Sequence, residues 1–295
     1  MPEQPHVLLL TGATGFLGRR LAPALSGSWR VIRASRTAAG EGAADLDLAE
    51  PDSIRRAFDE ARPRVVIHAG GMADPDVCER DPERAKRVNV DAVAVLAALC
   101  AGSGARLVHF STDLIFDGER GWYSESDFPA PSGAYARGKL DSEEAALSRA
   151  PGAVVLRVSS CYGRPLGGRP SFVDLMRDKL VRGEPVAAFV DQWRTSTAAD
   201  QLPEVVQKIL ADPRLEGAFH WGGADRATRF EMATAFCRIM GCDESLVRPT
   251  RAAETKFLSP RPRDTSLDSS RLAVEIGVAP LGYEAGFKSL RGSWG

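Results

Sequence analysis

Residues 6–18 read HVLLLTGATGFLG, and this stretch decides the fold. His6–Leu10 is a short apolar run of the kind that forms a buried strand. Gly12, Gly15 and Gly18 follow at once; two of them let the backbone turn towards a phosphate, and the third permits close packing of the helix. A strand, a glycine-rich turn and a helix N-terminus together predict a dinucleotide site in a βαβ unit.

The first half of the chain alternates short apolar runs with helical patterns, which is typical of parallel sheets. The predicted strands are His6–Leu10, Trp29–Ala34, Asp45–Leu48, Arg64–Ala69, Arg106–Ser111 and Ala153–Ser159. The predicted helices are Phe16–Leu25, Pro51–Ala61, Pro82–Cys100 and Ala134–Ser148. The sequence therefore predicts an α/β fold, a Rossmann-type doubly wound parallel sheet.

Beyond Gly163 the pattern loosens into loops rich in proline and glycine, which predicts a smaller, irregular C-terminal substrate lobe. The predicted elements there are the helices Ser171–Arg182, Pro203–Leu210 and Arg229–Met240, and the strand Ala218–Trp221. We expect residues 1–162 to form an NAD(P)-binding Rossmann domain, to which residues near 190–225 return. Residues 163–295 would form mainly a substrate-binding lobe.

The composition indicates a soluble protein that acts on small molecules. The 38 basic residues are balanced by 39 acidic residues without a basic cluster, so we expect neither nucleic acid nor membrane as a partner. The N-terminus lacks the pattern of a signal peptide, which predicts a cytoplasmic protein. The five scattered cysteines have neither disulfide nor zinc-ligand spacing, so we expect no metal.

A tyrosine and a lysine stand four residues apart on a predicted helix, Tyr135 and Lys139. This spacing places the ammonium near the phenol on one face. The ammonium would stabilise phenolate and lower the tyrosine pKa from about 10, making the phenol a usable proton donor. Thr112, at the C-terminal end of the fifth predicted strand, is placed to give a ligand a hydroxyl donor.

The end of the second predicted strand bears on the choice of cofactor. An acidic residue here favours NAD, whereas a basic residue accepts the 2′-phosphate of NADP. The strand ends in RASR, so Arg33 and Arg36 favour NADP(H) and leave NAD(H) open.

Several motifs in order resemble the extended short-chain dehydrogenases/reductases: TGATGFLG, HAGG, VNV, STDLIFDG, YARGK and LRVSSCYG. Within that superfamily the chain is most similar to the dTDP-4-dehydrorhamnose reductase family. STDLIFDGERGWYSESDFPAP, DQWRTSTAADQL at Asp191–Leu202 and RPRDTSLD at Arg261–Asp268 carry this likeness. The matches run from residue 7 to about 272.

The resemblance implies an NAD(P)H-dependent reduction of a 4-keto group on a nucleotide-linked deoxysugar. Tyr135 would protonate the ketone oxygen, and Thr112 would donate a hydrogen bond to it. Lys139 would hold the nicotinamide ribose, and Asp113 would touch the sugar. The substrate residues implied are Thr112, Asp113, Ser160, Trp193 and Arg261.

The resemblance also implies a set of cofactor contacts around the glycine turn. Asp47 and Leu48 match an adenine contact, and Asn89 would bond the backbone near the cofactor or a catalytic water. The full set is Gly12, Thr14, Gly15, Phe16, Leu17, Gly18, Arg36, Asp47, Leu48, Ala69, Gly70, Gly71, Asn89, Tyr135 and Lys139.

One position departs from the family pattern. Ser160 stands where the family often has a tryptophan that packs on substrate, which indicates a different sugar or nucleotide. Trp193 either supplies a replacement ring or packs as a loop aromatic on the smaller lobe.

Other readings of the same residues stay open. A non-catalytic NADP-binding regulatory subunit resembling the methionine adenosyltransferase β-subunit would retain Tyr135 and Lys139. A sugar-nucleotide epimerase or dehydratase shares the fold, but dehydratases commonly carry an acidic pair where this chain has Asp113 and Leu114. The resemblance leaves a homodimer open as well.

Two histidines fall within predicted strands, His68 and His109. We interpret both as buried core imidazoles with their hydrogen bonds satisfied, rather than as catalytic groups.

Overall fold

A computed structural model describes residues 6–293. The strands are β1 Val7–Thr11, β2 Arg30–Ala34, β3 Ala43–Ala44, β4 Val65–His68, β5 Arg106–Thr112, β6 Val154–Val158, β7 Val186–Phe189, β8 Trp193–Arg194, β9 Gly217–Trp221, β10 Ala227–Thr228 and β11 Val247–Thr250. The α-helices are α1 Gly18–Leu25, α2 Pro51–Ala61, α3 Pro75–Arg80, α4 Pro82–Lys86, α5 Ala92–Ser103, α6 Ala134–Arg149, α7 Phe172–Val181, α8 Leu202–Ala211, α9 Arg229–Met240, α10 Ser270–Ile276 and α11 Tyr283–Leu290.

Within residues 6–293, seven strands form the main sheet in the order β3-β2-β1-β4-β5-β6-β9. The pairs β2–β3, β1–β2, β1–β4 and β4–β5 are parallel. The strand order reverses between β1 and β4, and ligands of such sheets bind at the carboxyl ends beside this point. The predicted doubly wound α/β fold is confirmed.

The chain divides into two compact units. The first unit holds the residues up to Thr112, Gly133–Leu156 and Leu202–Phe219. Its core buries apolar side chains of the main sheet, among them Leu9 and Val66, against α2, α5 and α6, which contribute side chains such as Leu96. Because the strands are buried on both faces, they read as continuous apolar runs in the sequence.

The second unit holds Asp113–Ser132, Arg157–Gln201 and the chain from His220 onward. Its core packs α7, α9 and α11 around a parallel pair of short strands, β7 and β11. An antiparallel pair, β8 and β10, brings Trp193 opposite Thr228. The domain boundaries expected from the sequence, 1–162 and 163–295, stay a prediction.

One predicted strand is wrong in its placement, and one predicted helix is not α-helical throughout. The edge strand expected at Asp45–Leu48 lies at Ala43–Ala44, because the Asp47 carboxylate accepts the Ala49 N–H at 2.9 Å and turns the chain. The helix expected at Pro82–Cys100 is interrupted by a π-helical turn at Arg87–Asp91.

None of the helices described between residues 6 and 293 has the length and apolar character that crossing a membrane requires.

Candidate functional site

The glycine turn after β1 is closed by backbone contacts that only glycine allows. Gly12 adopts φ +68°, and a Cβ atom there would lie 2.5 Å from the Cα atom of Gly70. A Cβ atom at Gly18 would lie 2.3 Å from the Gly12 carbonyl oxygen. The Gly15 N–H donates to that same oxygen at 2.9 Å. The turn therefore brings the start of α1 against the end of β1, as a phosphate-binding turn requires.

The N-terminus of α1 fits an anion. In the described chain no side chain caps it, and no acidic residue lies in its first turn. Leu17 occupies the N-cap position, and the Phe16 ring packs 3.9 Å from the Arg20 guanidinium carbon. An uncapped helix N-terminus offers backbone N–H donors and a positive dipole end, which suits a pyrophosphate.

Three hydroxyl groups meet at the end of β2. Thr14 donates to Ser35 at 3.2 Å, and Thr37 donates to Thr14 at 3.2 Å. Arg36 is exposed beside them, whereas Arg33 donates to the carbonyl oxygens of Ala39 and Glu41. Arg33 thus fixes the following loop. Of the two arginines, Arg36 is the one whose side chain is exposed at the end of β2.

The residues that follow β4, Ala69 and Gly70, lie against the glycine turn. A Cβ atom at Gly70 would lie 2.7 Å from Leu48 Cδ1, so the expected contact residues Leu48 and Gly70 do come together. Asn89 is buried in the π-helical turn and bonds the backbone of Met72 twice. Its Oδ1 accepts the Met72 N–H at 2.8 Å, and its Nδ2 donates to the Met72 carbonyl at 3.0 Å.

This clamp fixes the chain that follows Ala69 and Gly71. Of the two roles expected for Asn89, the structure records the backbone contact. The Asp47 carboxylate is engaged by its own turn.

The predicted reactive residues lie on β5 and α6, which pack together. Thr112 ends β5 and is buried, and Tyr135 is half-buried in the first turn of α6. Lys139, one turn later, is 7% exposed, and its Nζ donates to the Phe110 carbonyl at 2.6 Å. Burial lowers the pKa of Lys139 to about 8, with Glu143 acting in the opposite direction.

His68 and His109 form a buried stack beside Lys139, with ring centroids 5.2 Å apart. His68 Nδ1 bonds Thr11 at 2.6 Å, and His109 Nε2 lies 3.2 Å from Lys139 Nζ. Among residues 6–293, His68 Nε2 and His109 Nδ1 have no hydrogen-bond partner. Their burial is as predicted, but the prediction of fully satisfied imidazoles is wrong.

Burial, with Lys139 nearby, lowers the pKa of His68 to about 3 and that of His109 well below its usual value. Both rings are therefore neutral near pH 7.

In the second unit, the buried carboxylate of Asp113 contacts several side chains. Its Oδ2 accepts from Ser159 at 3.0 Å and from Thr265 at 2.5 Å, and it lies 3.4 Å from Arg194 Nε. A sugar contact at Asp113, which the resemblance implies, would add to these bonds.

Two arginines of the second unit pack against the Trp193 ring. The guanidinium carbons of Arg226 and Arg263 are 4.8 Å and 5.2 Å from its centroid. Arg261 packs on Phe257, with its guanidinium carbon 4.6 Å from that ring.

Two further arginines, Arg194 and Arg229, influence the same region electrostatically. Desolvation by the surrounding chain, together with the charges of Arg194 and Arg261, lowers the pKa of Arg229 to about 10. Neither arginine is among the site residues predicted from the sequence, although Arg194 lies inside the DQWRTSTAADQL motif. The second unit thus gathers cationic side chains that suit an anionic ligand.

Ser160 follows β6 in an unusual conformation, with φ +22°. Non-glycine residues rarely adopt positive φ, and such strain concentrates at functional sites. The flanking chain is fixed by Thr197, whose Oγ1 accepts the Ser159 N–H at 3.1 Å.

No group of three or more His, Cys, Asp or Glu residues suited to a metal ion occurs in the part of the chain that the structure describes.

Comparisons with known proteins bear on this site. A family model described as the RmlD substrate binding domain matches residues 6–291. A methionine adenosyltransferase 2 subunit beta from Pongo abelii is 33% identical, over 92% of this chain and 82% of its own. A probable dTDP-4,6-dihydroxy-2-methyloxan-3-one 4-ketoreductase from Streptomyces antibioticus is 34% identical, over 92% of this chain and 90% of its own. The crystal structure of a dTDP-4-dehydrorhamnose reductase from Bacillus anthracis in complex with NADP superimposes with a TM-score of 0.88 at 23% identity, covering 97% of this chain and 98% of that one.

Proposed function

Because the chain belongs to the RmlD substrate-binding family of extended short-chain dehydrogenases/reductases, we propose that it is an NAD(P)H-dependent reductase. Its substrate is the 4-keto group of a nucleotide-linked deoxysugar. The name of the Streptomyces antibioticus relative, a probable 4-ketoreductase of a dTDP-linked compound, supports this class.

One observation carries the proposal. Lys139 Nζ is buried and bonded to the carbonyl of Phe110, two residues before Thr112, and Tyr135 lies one turn earlier on the same helix. A buried lysine with a pKa near 8 exchanges protons close to physiological pH. This arrangement supports a site at the end of one central strand, to which Tyr135 would bring a proton donor, Lys139 a cation and Thr112 a hydroxyl.

Each residue has a distinct part in the reduction. A reduced nicotinamide would supply the hydride to the ketone carbon. Tyr135 donates its phenolic proton to the ketone oxygen, and Thr112 donates a hydrogen bond to that oxygen. Lys139 holds the nicotinamide ribose, and its ammonium stabilises the tyrosinate that remains.

The glycine turn binds the pyrophosphate of the cofactor. Gly12, Gly15 and Gly18 shape the backbone, and the uncapped start of α1 supplies the N–H donors. At the end of β2, Arg36 and the hydroxyls of Thr14 and Thr37 favour the 2′-phosphate of NADP(H) over NAD(H).

The arginines of the second unit bind the diphosphate of the substrate. Arg229 and Arg261 supply charge, and Trp193 offers a ring face for the base or the sugar. Ser160 accommodates a sugar without the aromatic platform that the family often provides.

The test is turnover of reduced nicotinamide with a 4-keto-6-deoxy nucleotide sugar, followed by absorbance with NADPH and NADH in parallel. Tyr135→Phe should lower kcat by about 10²- to 10⁴-fold and keep cofactor binding. Tyr283→Phe, a tyrosine of α11, is the matched control and should retain wild-type turnover. Near wild-type turnover in Tyr135→Phe would overturn the catalytic assignment.

A second candidate function rests on the Pongo abelii relative, which is named as a subunit of methionine adenosyltransferase 2. On this reading the chain is a non-catalytic partner subunit that keeps the cofactor site. Cofactor binding without turnover, together with a changed rate of a methionine adenosyltransferase on addition of the chain, would favour it over the reductase.

A further inference from the structure

The surroundings of Lys139 contain a hydrogen-bond conflict that the reductase chemistry does not explain. His109 Nε2 lies 3.2 Å from Lys139 Nζ and 2.9 Å from Ser142 Oγ. Ser142 Oγ is also 2.7 Å from the Lys139 carbonyl oxygen. One ring nitrogen carries either a proton or a lone pair, so these contacts cannot all be favourable in one protonation state.

A charged lysine determines the tautomer of His109. An ammonium only donates, so Nε2 must present its lone pair and the proton of His109 must lie on Nδ1. Ser142 keeps its hydrogen bond to the Lys139 carbonyl, so its Oγ and Nε2 face each other without a hydrogen between them. In this state the buried Nδ1–H has no acceptor among residues 6–293.

The neutral lysine permits the other arrangement. Nε2 now carries the proton and donates to Ser142 Oγ, whose own hydrogen goes to the Lys139 carbonyl. Nδ1 is left with an unpartnered lone pair, which is less unfavourable to bury than an unpartnered N–H group. The two arrangements differ by one proton overall, and it leaves the cluster from Lys139.

We propose that His109 is a positioning residue for Lys139. Its Nε2 accepts a hydrogen bond from the ammonium, and loss of a proton from Lys139 moves the proton of His109 from Nδ1 to Nε2. His109 stays neutral throughout. The catalytic consequence rests on the proposed reductase, because it is the charge on Lys139 that supports Tyr135.

The other titratable groups around the lysine are consistent with this role. From β4, His68 stacks on His109 and is itself neutral near pH 7. From α6, Glu143 favours the charged lysine and accepts a hydrogen bond from Ser111. The neutral imidazole of His109 and the Phe110 carbonyl are therefore the acceptors that Lys139 bonds directly.

The direct test is NMR of the full chain labelled with ¹⁵N-histidine. The chain has four histidines, so the variants His6→Gln, His68→Asn and His220→Gln assign the ring signals. We expect His109 to change from the Nδ1–H to the Nε2–H tautomer with a midpoint near pH 8, and to show no such change in Lys139→Met. An Nε2–H tautomer at pH 6–7, or a tautomer that does not change up to pH 10, would overturn the proposal.

The kinetic test uses two variants that keep different atoms. His109→Gln keeps an acceptor near the position of Nε2, whereas His109→Asn keeps one near Nδ1. We expect His109→Asn to move the basic limb of the kcat profile down by about one pH unit, a tenfold loss on that limb, and His109→Gln to restore it. Equal profiles for the two variants would refute the role. If the wild-type chain turns over no keto sugar, the proposed function fails, whereas the NMR measurement still decides the role of His109.

Discussion

Each unit holds a largely buried cation that bonds backbone carbonyl oxygens, but the second contact differs: a neutral imidazole for Lys139 and a carboxylate for Arg194. Lys139 in the first unit bonds a carbonyl oxygen and a neutral imidazole. Arg194 in the second unit is 13% exposed and lies 3.4 Å from the carboxylate of Asp113. Burial lowers the pKa of both, but a guanidinium starts from a far higher pKa than an ammonium, and the acidic neighbours of Arg194 oppose the shift. Arg194 is thus a permanent charge, whereas Lys139 loses its proton near pH 8.

The difference shows how surroundings select a role for a cation. A group that takes part in proton transfer needs a pKa near the working pH, and neutral partners leave burial free to lower it. A group that binds an anion needs a fixed charge, and a carboxylate secures it. Four predictions test this contrast, in order of expected effect.

The largest effect is expected from breaking the pair in the second unit. Asp113→Asn removes the carboxylate that contacts the Arg194 guanidinium, and should lower the free energy of unfolding by about 3–5 kcal/mol. Lys139→Met removes a buried charge that has neutral partners, and should change it by about 1 kcal/mol or less. Chemical denaturation of both variants at pH 7 measures the difference; equal losses would contradict the contrast.

The neutral histidines beside Lys139 should make the protein sensitive to acid. The unfolded His68 binds a proton near pH 6.5 and the folded one near pH 3, so the unfolded state binds more protons between these values. Stability should therefore fall as the pH falls from 6.5 towards 3. From pH 7 to pH 4 the loss attributable to His68 is about 3 kcal/mol.

The variant His68→Asn keeps a hydrogen-bonding atom for Thr11. Between pH 7 and pH 4 its free energy of unfolding should fall by about 3 kcal/mol less than that of the wild-type protein. Unfolding curves at several pH values provide the measurement. An unchanged limb would show that His68 is protonated in the folded state.

At alkaline pH, Lys139 should have the opposite effect. Its folded pKa of about 8 lies below the ordinary value of 10.5, so between these values the unfolded state binds more protons and stability rises with pH. Relative to Lys139→Met, the wild-type protein should gain about 2 kcal/mol between pH 7 and pH 9.5. A constant difference between the two proteins would place the lysine pKa outside this window.

The smallest effect is expected at the exposed arginine of the cofactor site. Arg36→Ala should raise the KM for NADPH about tenfold and leave that for NADH unchanged, because the lost contact is to the 2′-phosphate. Arg33→Ala is the comparison variant, since Arg33 bonds the loop carbonyls of Ala39 and Glu41. Equal changes in the KM values for NADPH and NADH would show that Arg36 does not contribute to the preference between these cofactors.

The sequence predicted the first unit well because its signals are local. The apolar runs of β1 and β4, and the glycines after β1, follow from packing and turn geometry that a short stretch determines. The resemblance to extended short-chain dehydrogenases/reductases is also confirmed, since the family model spans residues 6–291. The roles of Tyr135, Lys139 and Thr112 stay predictions.

What the sequence missed depends on distant pairing. The strands β7 and β11 are four residues each and pair across some sixty positions, so neither carries a periodic signal of its own. The contact of His109 with Lys139 joins a strand to a helix thirty residues later. The tight packing of Gly121 against Asp264 likewise connects two motifs that the sequence shows only separately.

The π-helical turn at Arg87–Asp91 makes the fold sensitive to the number of residues at this point of the chain. Such a turn accommodates one residue more than an α-helix does. Deleting Val88 would let α4 continue into α5 as one α-helix and rotate the preceding residues by about 100° relative to those that follow. The side chain of Asn89 would then no longer face Met72, and both hydrogen bonds between them would be lost although no other residue had changed. A single-codon deletion here is therefore expected to be more damaging than most substitutions, and the lengths of related genes should vary less here than in exposed loops.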